Sequence, residues 1–150
     1  MDLKSYCLDC GGMKIKYSFL HQETPSFFKE YLTLSDGAAD MEIRITPTYM
    51  QENRWLVDER EQCLPFIEFQ CLMLATGNAL LKYQRALFHG VAILWREKAW
   101  ILTAPSGTGK TTQLRHWLRL IRKDMQVING DKPLLECRED GSVWVHSSPW

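Results

Sequence analysis

The chain has 150 residues, 18 basic and 18 acidic side chains, and 45% apolar residues. That length allows one domain, or two small lobes, with a real core, and the apolar share excludes a disordered chain. The zero balance of charge argues against a general nucleic-acid binder, which carries a basic excess.

The first residues, Met1-Asp2-Leu3-Lys4-Ser5, lack the apolar stretch of a secretory signal. Cys7-Leu8-Asp9-Cys10 has the spacing of half a zinc site. No second pair follows, and in a strand these two cysteines would project to opposite faces. Five cysteines without repeating spacing do not make a disulfide framework. Ile15, Tyr17 and Phe19 alternate with Lys14, Lys16 and Ser18, and Met41, Ile43 and Ile45 with Glu42, Arg44 and Thr46; both runs predict half-buried strands. Between them, Pro25, Asp36 and Gly37 leave room for one short helix around Phe27 to Leu34. Residues 50–62 are polar and read as loop.

Leu64 to Tyr83 predicts a helix, with Pro65 suited to its first turn and Ile67, Cys71 and Leu74 on one face. The best membrane candidate, Phe66 to Ala75, contains Glu68 and Gln70 and is too short to span. The expectation is a cytoplasmic protein with no membrane contact. Leu87 to Trp95 and Ala99 to Thr103 are apolar runs of strand length around the charged triplet Arg96-Glu97-Lys98, the pattern of a β-hairpin.

The second strand runs into Ala104-Pro105-Ser106-Gly107-Thr108-Gly109-Lys110-Thr111. The strand–loop–helix context is that of a phosphate-binding P-loop, with Ala104 in place of the first glycine. Gly107 and Gly109 let the backbone aim several N–H groups inward. Those donors and the start of the next helix form an anion site. Lys110 then reaches the β- and γ-phosphates, and the Thr111 hydroxyl serves Mg²⁺. Residues Lys110 to Lys123 predict a helix with Leu114, Trp117, Leu118 and Ile121 on its apolar stripe.

A short strand, Gln126 to Asn129, leads into Gly130-Asp131. An apolar strand tipped by an acid beside a P-loop places a carboxylate where the metal sits; the alternative is that Asn-Gly-Asp is only a turn. A last hairpin is expected, Leu134–Cys137 with Ser142–Val145, turned at Asp140-Gly141. Its apolar edge, with Trp144 and Trp150 nearby, invites association with a second copy. The sequence stops at Ser147-Ser148-Pro149-Trp150, on a large apolar side chain, where domains usually end in polar residues. This reads as a truncated chain.

Phe88-His89-Gly90-Val91, the hairpin, Thr103 to Thr112 and Asn129-Gly130-Asp131-Lys132-Pro133 together resemble the catalytic domain of HPr kinase/phosphorylase. The match looks closer still to the compact HPr-kinase-like proteins found beside peptide-tailoring genes. It covers roughly residues 85–150, and it implies a nucleotide fold related to that of phosphoenolpyruvate carboxykinase. The expected architecture is α/β: a mixed sheet with a P-loop in residues 85–150, preceded by a small N-terminal α/β region in residues 1–84. On this resemblance Ser106, Gly107, Thr108, Gly109, Lys110, Thr111 and Thr112 hold ATP, and Thr111 and Asp131 hold Mg²⁺. His89 falls on a His near the transferred phosphate. Asp131 falls on the second of two adjacent acids with metal and base roles, and Gly130 replaces the first, which leaves the general base open. The implied activity is transfer of the γ-phosphoryl group to a serine hydroxyl of a protein or peptide. Two alternatives stand beside it: a non-catalytic nucleotide-binding module, and a P-loop ATPase of another superfamily, which would need a later acid-tipped strand.

Overall fold

Alternation of apolar and charged residues builds the first sheet. In the computed structural model, which describes residues 6–34, 37–105 and 107–150, β1 (Tyr6–Cys10) and β2 (Met13–Ser18) form an antiparallel pair. Gly11 and Gly12 turn the chain between them at φ of 61° and 80°, and Asp9 Oδ1 accepts from the Gly12 N–H. β3 (Leu32–Leu34) pairs antiparallel with β1, and β4 (Met41–Arg44) pairs parallel with β2, giving the order β3-β1-β2-β4. Leu8, Ile15 and Tyr17 are fully buried. Phe19 and Ile45, expected as the last residues of these strands, are buried just beyond them.

Helix α2 (Leu64–Leu80) belongs to the same unit. Its Thr76 Oγ1 lies 2.8 Å from the Tyr17 hydroxyl in the core. Phe28 packs among Tyr17, Phe19 and Phe69. Burial holds the Tyr17 phenol far above its usual pKa. The longer helical stretch Leu64–Tyr83, which contains the candidate Phe66 to Ala75, is by length and composition alone sufficient to cross a membrane. In this fold it supplies core residues Ile67, Phe69, Cys71, Leu72 and Leu80.

Two expectations change. The helix predicted over Phe27 to Leu34 is a 3₁₀ segment, Thr24–Tyr31, followed by β3. Pro25 starts it early, and the β1 edge claims residues 32–34. Residues 50–62 are not all loop: α1 (Pro47–Glu52) and two 3₁₀ turns occupy most of them. Thr46 caps α1, accepting from the Tyr49 N–H, and Pro47 opens its first turn. Asp36 lies outside the described residues.

The chain divides into two units, Met1–Leu80 with Pro149 and Leu81–Ser148 with Trp150, where the sequence suggested a division after residue 84. The second unit holds two antiparallel three-stranded sheets rather than one mixed sheet. One has β5 (Arg85–Leu87), β9 (Leu134–Cys137) and β10 (Val143–His146) in the order β10-β9-β5. The other has β6 (Val91–Trp95), β7 (Lys98–Leu102) and β8 (Met125–Asn129) in the order β7-β6-β8. Arg96 and Glu97, at φ of 51° and 62°, make the tight β6–β7 turn. Helix α3 (Lys110–Ile121) lays Leu114, Trp117, Leu118 and Ile121 on a core of Val91, Ile93 and Met125.

Candidate functional site

β6 runs antiparallel to both of its neighbours. The C-terminal ends of β7 and β8 and the N-terminal end of β6 therefore meet at one edge of the sheet. That edge receives the loop 103–109 from β7, Gly130 and Asp131 from β8, and His89 from the approach to β6.

The run Leu87 to Trp95, expected as one strand, is broken at Phe88–Gly90. Its two halves pair with different strands, β9 and β8. The partner run breaks at the same level, between β8 and β9. Main-chain bonds cross the gap, from Phe88 N to Pro133 O and from Gly90 N to Asp131 O, both 2.9 Å. A glycine suits position 90, because a Cβ there would lie 3.0 Å from Leu102 O and crowd the β7 backbone. His89 is thus not a strand residue. Its Nε2 lies 3.4 Å from Asp131 Oδ1, with the two side chains 47% and 59% exposed.

Asn129 shapes the turn that carries Asp131. A register shift opposite Ala92 and Ile93 accompanies the inward position of Asn129, which is 7% exposed. Its Oδ1 accepts from the N–H groups of Asp131 and Lys132, at 2.8 and 2.7 Å. Its Nδ2 donates to Ser148 O at 2.9 Å. The Ser148 hydroxyl in turn donates to Lys132 O. Lys132 Nζ holds Asp131 Oδ2 at 2.9 Å. Asn129, Lys132 and Ser148 were not singled out as site residues from sequence. Asparagine before glycine at a strand end is the signal that could have found the first, because its side chain folds onto the backbone two residues on.

The loop from Thr103 is tied to the same edge, since the Thr103 hydroxyl donates to His89 O at 3.4 Å. Gly107 and Gly109 take φ of 80° and 95°, a region that glycine enters freely. The Thr108 hydroxyl donates to Pro105 O at 2.6 Å, and Gln113 N donates to Gly109 O at 2.8 Å as α3 begins. Thr111 and Thr112 are exposed in its first turn. Ser106 lies outside the described residues. Lys110 Nζ donates to Ala104 O at 2.6 Å and Pro105 O at 3.2 Å. Its bonds stay within the loop and do not reach Asp131.

Chemically, this edge offers the first-turn amides and positive end of a helix, three basic side chains (Lys110, Lys132 and His89), and one carboxylate. It suits a polyanion. Among the described residues no three His, Cys, Asp or Glu side chains converge as a metal site. Asp131 offers an exposed carboxylate and Thr111 an exposed hydroxyl, oxygen donors of the kind that Mg²⁺ takes.

Cysteine chemistry has no comparable setting. Burial, helped by the charge of Glu68, pushes the Cys71 thiol up to about 11, so it stays a neutral thiol near pH 7. Cys7 and Cys10 are both buried, and neither is in a disulfide. Compared with protein-family models, curated proteins and solved structures, the chain matches none.

Proposed function

We propose that this chain binds Mg-ATP along residues 104–112 and transfers the γ-phosphoryl group to a serine hydroxyl of a protein or peptide. One observation carries the reading: a loop with two left-handed glycines, opening a helix at Lys110, shares a sheet edge with the paired side chains of His89 and Asp131. The resemblance of residues 85–150 to HPr-kinase-like proteins supports it, and so does the acid-tipped strand β8.

In this reading Lys110 exchanges the carbonyls of Ala104 and Pro105 for phosphate oxygens. The first-turn amides of α3 stabilise charge on the same phosphates. Thr111 and Asp131 would hold a Mg²⁺ that supplies charge neutralisation at the phosphates. Gly130 leaves Asp131 as the carboxylate of this turn. Asp131 accepts the serine proton as the serine oxygen bonds to the γ-phosphorus and the bond to the β–γ bridging oxygen breaks. His89 orients Asp131 Oδ1 and the incoming hydroxyl, and Lys132 fixes Oδ2. Catalysis comes from positioning and charge.

A second reading is favoured by the bonds that tie Lys110 to its own loop and Asp131 to Lys132: a nucleotide-binding module without turnover. Incubation with γ-labelled ATP and serine-containing peptides separates the two. Transfer that falls by about a hundredfold in Asp131→Asn supports the kinase. Tight binding without transfer supports the module, and no binding rejects both.

A further inference from the structure

The N-terminal unit holds a cavity of about 470 Å³ that neither reading uses. Its size falls within the range of small-molecule sites. Leu20, Met50, Leu64 and Ile67 give it apolar walls, and His21 and Arg54 supply polar groups. Met50 and Ile67 are buried, while Leu20 and Leu64 are 44% and 53% exposed and mark its open side.

The wall is held by an unusual device. Glu68, fully buried, accepts from the backbone N–H of Leu20 at 2.6 Å and of His21 at 3.0 Å. Its Oε2 also meets His21 Nδ1 at 3.0 Å and accepts from the Thr24 hydroxyl. A buried carboxylate is costly unless fully bonded. Here all these donors come from the turn that forms the cavity wall, so Glu68 fixes Leu20 and His21 in place. Arg54 differs: among the described residues it is in no ion pair. A preset apolar wall with one uncommitted guanidinium is complementary to an apolar body bearing one carboxylate.

We propose that this cavity binds a small-molecule carboxylate with an aliphatic or aromatic body, the body against Met50 and Ile67 and the carboxylate on Arg54. The site is independent of the phosphoryl-transfer reading. The test uses octanoate, with octylamine as the cation of equal chain length, titrated by calorimetry and by amide NMR shifts. Octanoate is expected to bind and to shift the amides of Leu20, Met50 and Ile67, with octylamine at least about tenfold weaker. Arg54→Ala, an exposed change that leaves the core intact, is expected to weaken octanoate about tenfold. Gln51→Trp, which fills the cavity from α1, is expected to abolish binding. Absence of octanoate binding, equal binding of octylamine, or unchanged affinity in either variant would overturn the proposal.

Discussion

The two units treat polar side chains in opposite ways. In the first, polar groups are sealed and satisfied: Glu68, Thr24 and Thr76 are fully buried, and each is hydrogen-bonded within a core that includes Tyr17, Phe28 and Ile67. In the second, the polar groups with chemical potential stand open, with His89 and Asp131 about half exposed at a sheet edge. A sealed polar group contributes to stability through what it satisfies. An open one contributes little to stability and is available to a ligand. Substitutions of the buried polar groups of the first unit should therefore cost stability, and those at the edge of the second should cost binding or turnover.

The largest expected effect falls on Glu68. Glu68→Leu strands the backbone N–H groups of Leu20 and His21 and removes one partner each from the Thr24 hydroxyl and the His21 ring, and should destabilise the protein by about 3–5 kcal/mol. Urea unfolding measures it; a loss under about 1 kcal/mol would break the contrast. Asn129→Ala comes next and sharpens the comparison, because Asn129 is a sealed polar group inside the open unit. It should cost about 2 kcal/mol through the freed N–H groups of Asp131 and Lys132. It should also lower phosphoryl transfer by more than stability explains. Unchanged turnover in folded protein would mean that the turn does not position Asp131.

Smaller effects lie away from the edge. Glu97 holds a left-handed conformation that glycine adopts without strain, so Glu97→Gly should stabilise by about 1 kcal/mol; a lower thermal midpoint would contradict the turn geometry. Glu136 on β9 is held below the usual carboxylate range, first by its 2.7 Å bond with His146 and then by Arg85. A depressed carboxyl contributes stability that is present above its unfolded pKa and lost as pH falls through the folded one. Glu136→Gln should flatten the acid side of the stability profile by less than about 1 kcal/mol. An unchanged slope in acid unfolding would show that the pair contributes nothing.

How far the sequence reached follows from where the information lies. Strand alternation around Ile15 and the helical stripe of Leu114, Trp117, Leu118 and Ile121 are local, and both were readable. The break at His89 was not, because a strand that changes partners keeps the same apolar pattern; only the pairing of Leu87 with Leu134 and of Ala92 with Asn129 reveals it. Helix α1 was missed although Thr46-Pro47 is a start signal, since its short polar segment carries little periodicity. Glu68 was seen only as a charge interrupting an apolar run. Its role depends on donors from residues 20–24, which lie far away in the chain. At the candidate site, residue types and spacing marked the loop and Asp131, and the family resemblance alone marked His89, whereas the hydrogen bonds of Asn129 needed three dimensions.

The central claim is that the loop opening α3 at Lys110 holds a triphosphate. It is tested most directly by calorimetric titration of Mg-ATP into the parent protein and into Lys110→Ala, with the fold of each checked by circular dichroism. Lys110 is a helix-start residue whose bonds go to its own loop, so its loss should leave the thermal midpoint nearly unchanged. The account predicts saturable binding by the parent and about a hundredfold weaker binding by the folded variant. Equal affinity in the two, or no binding by the parent, would contradict it.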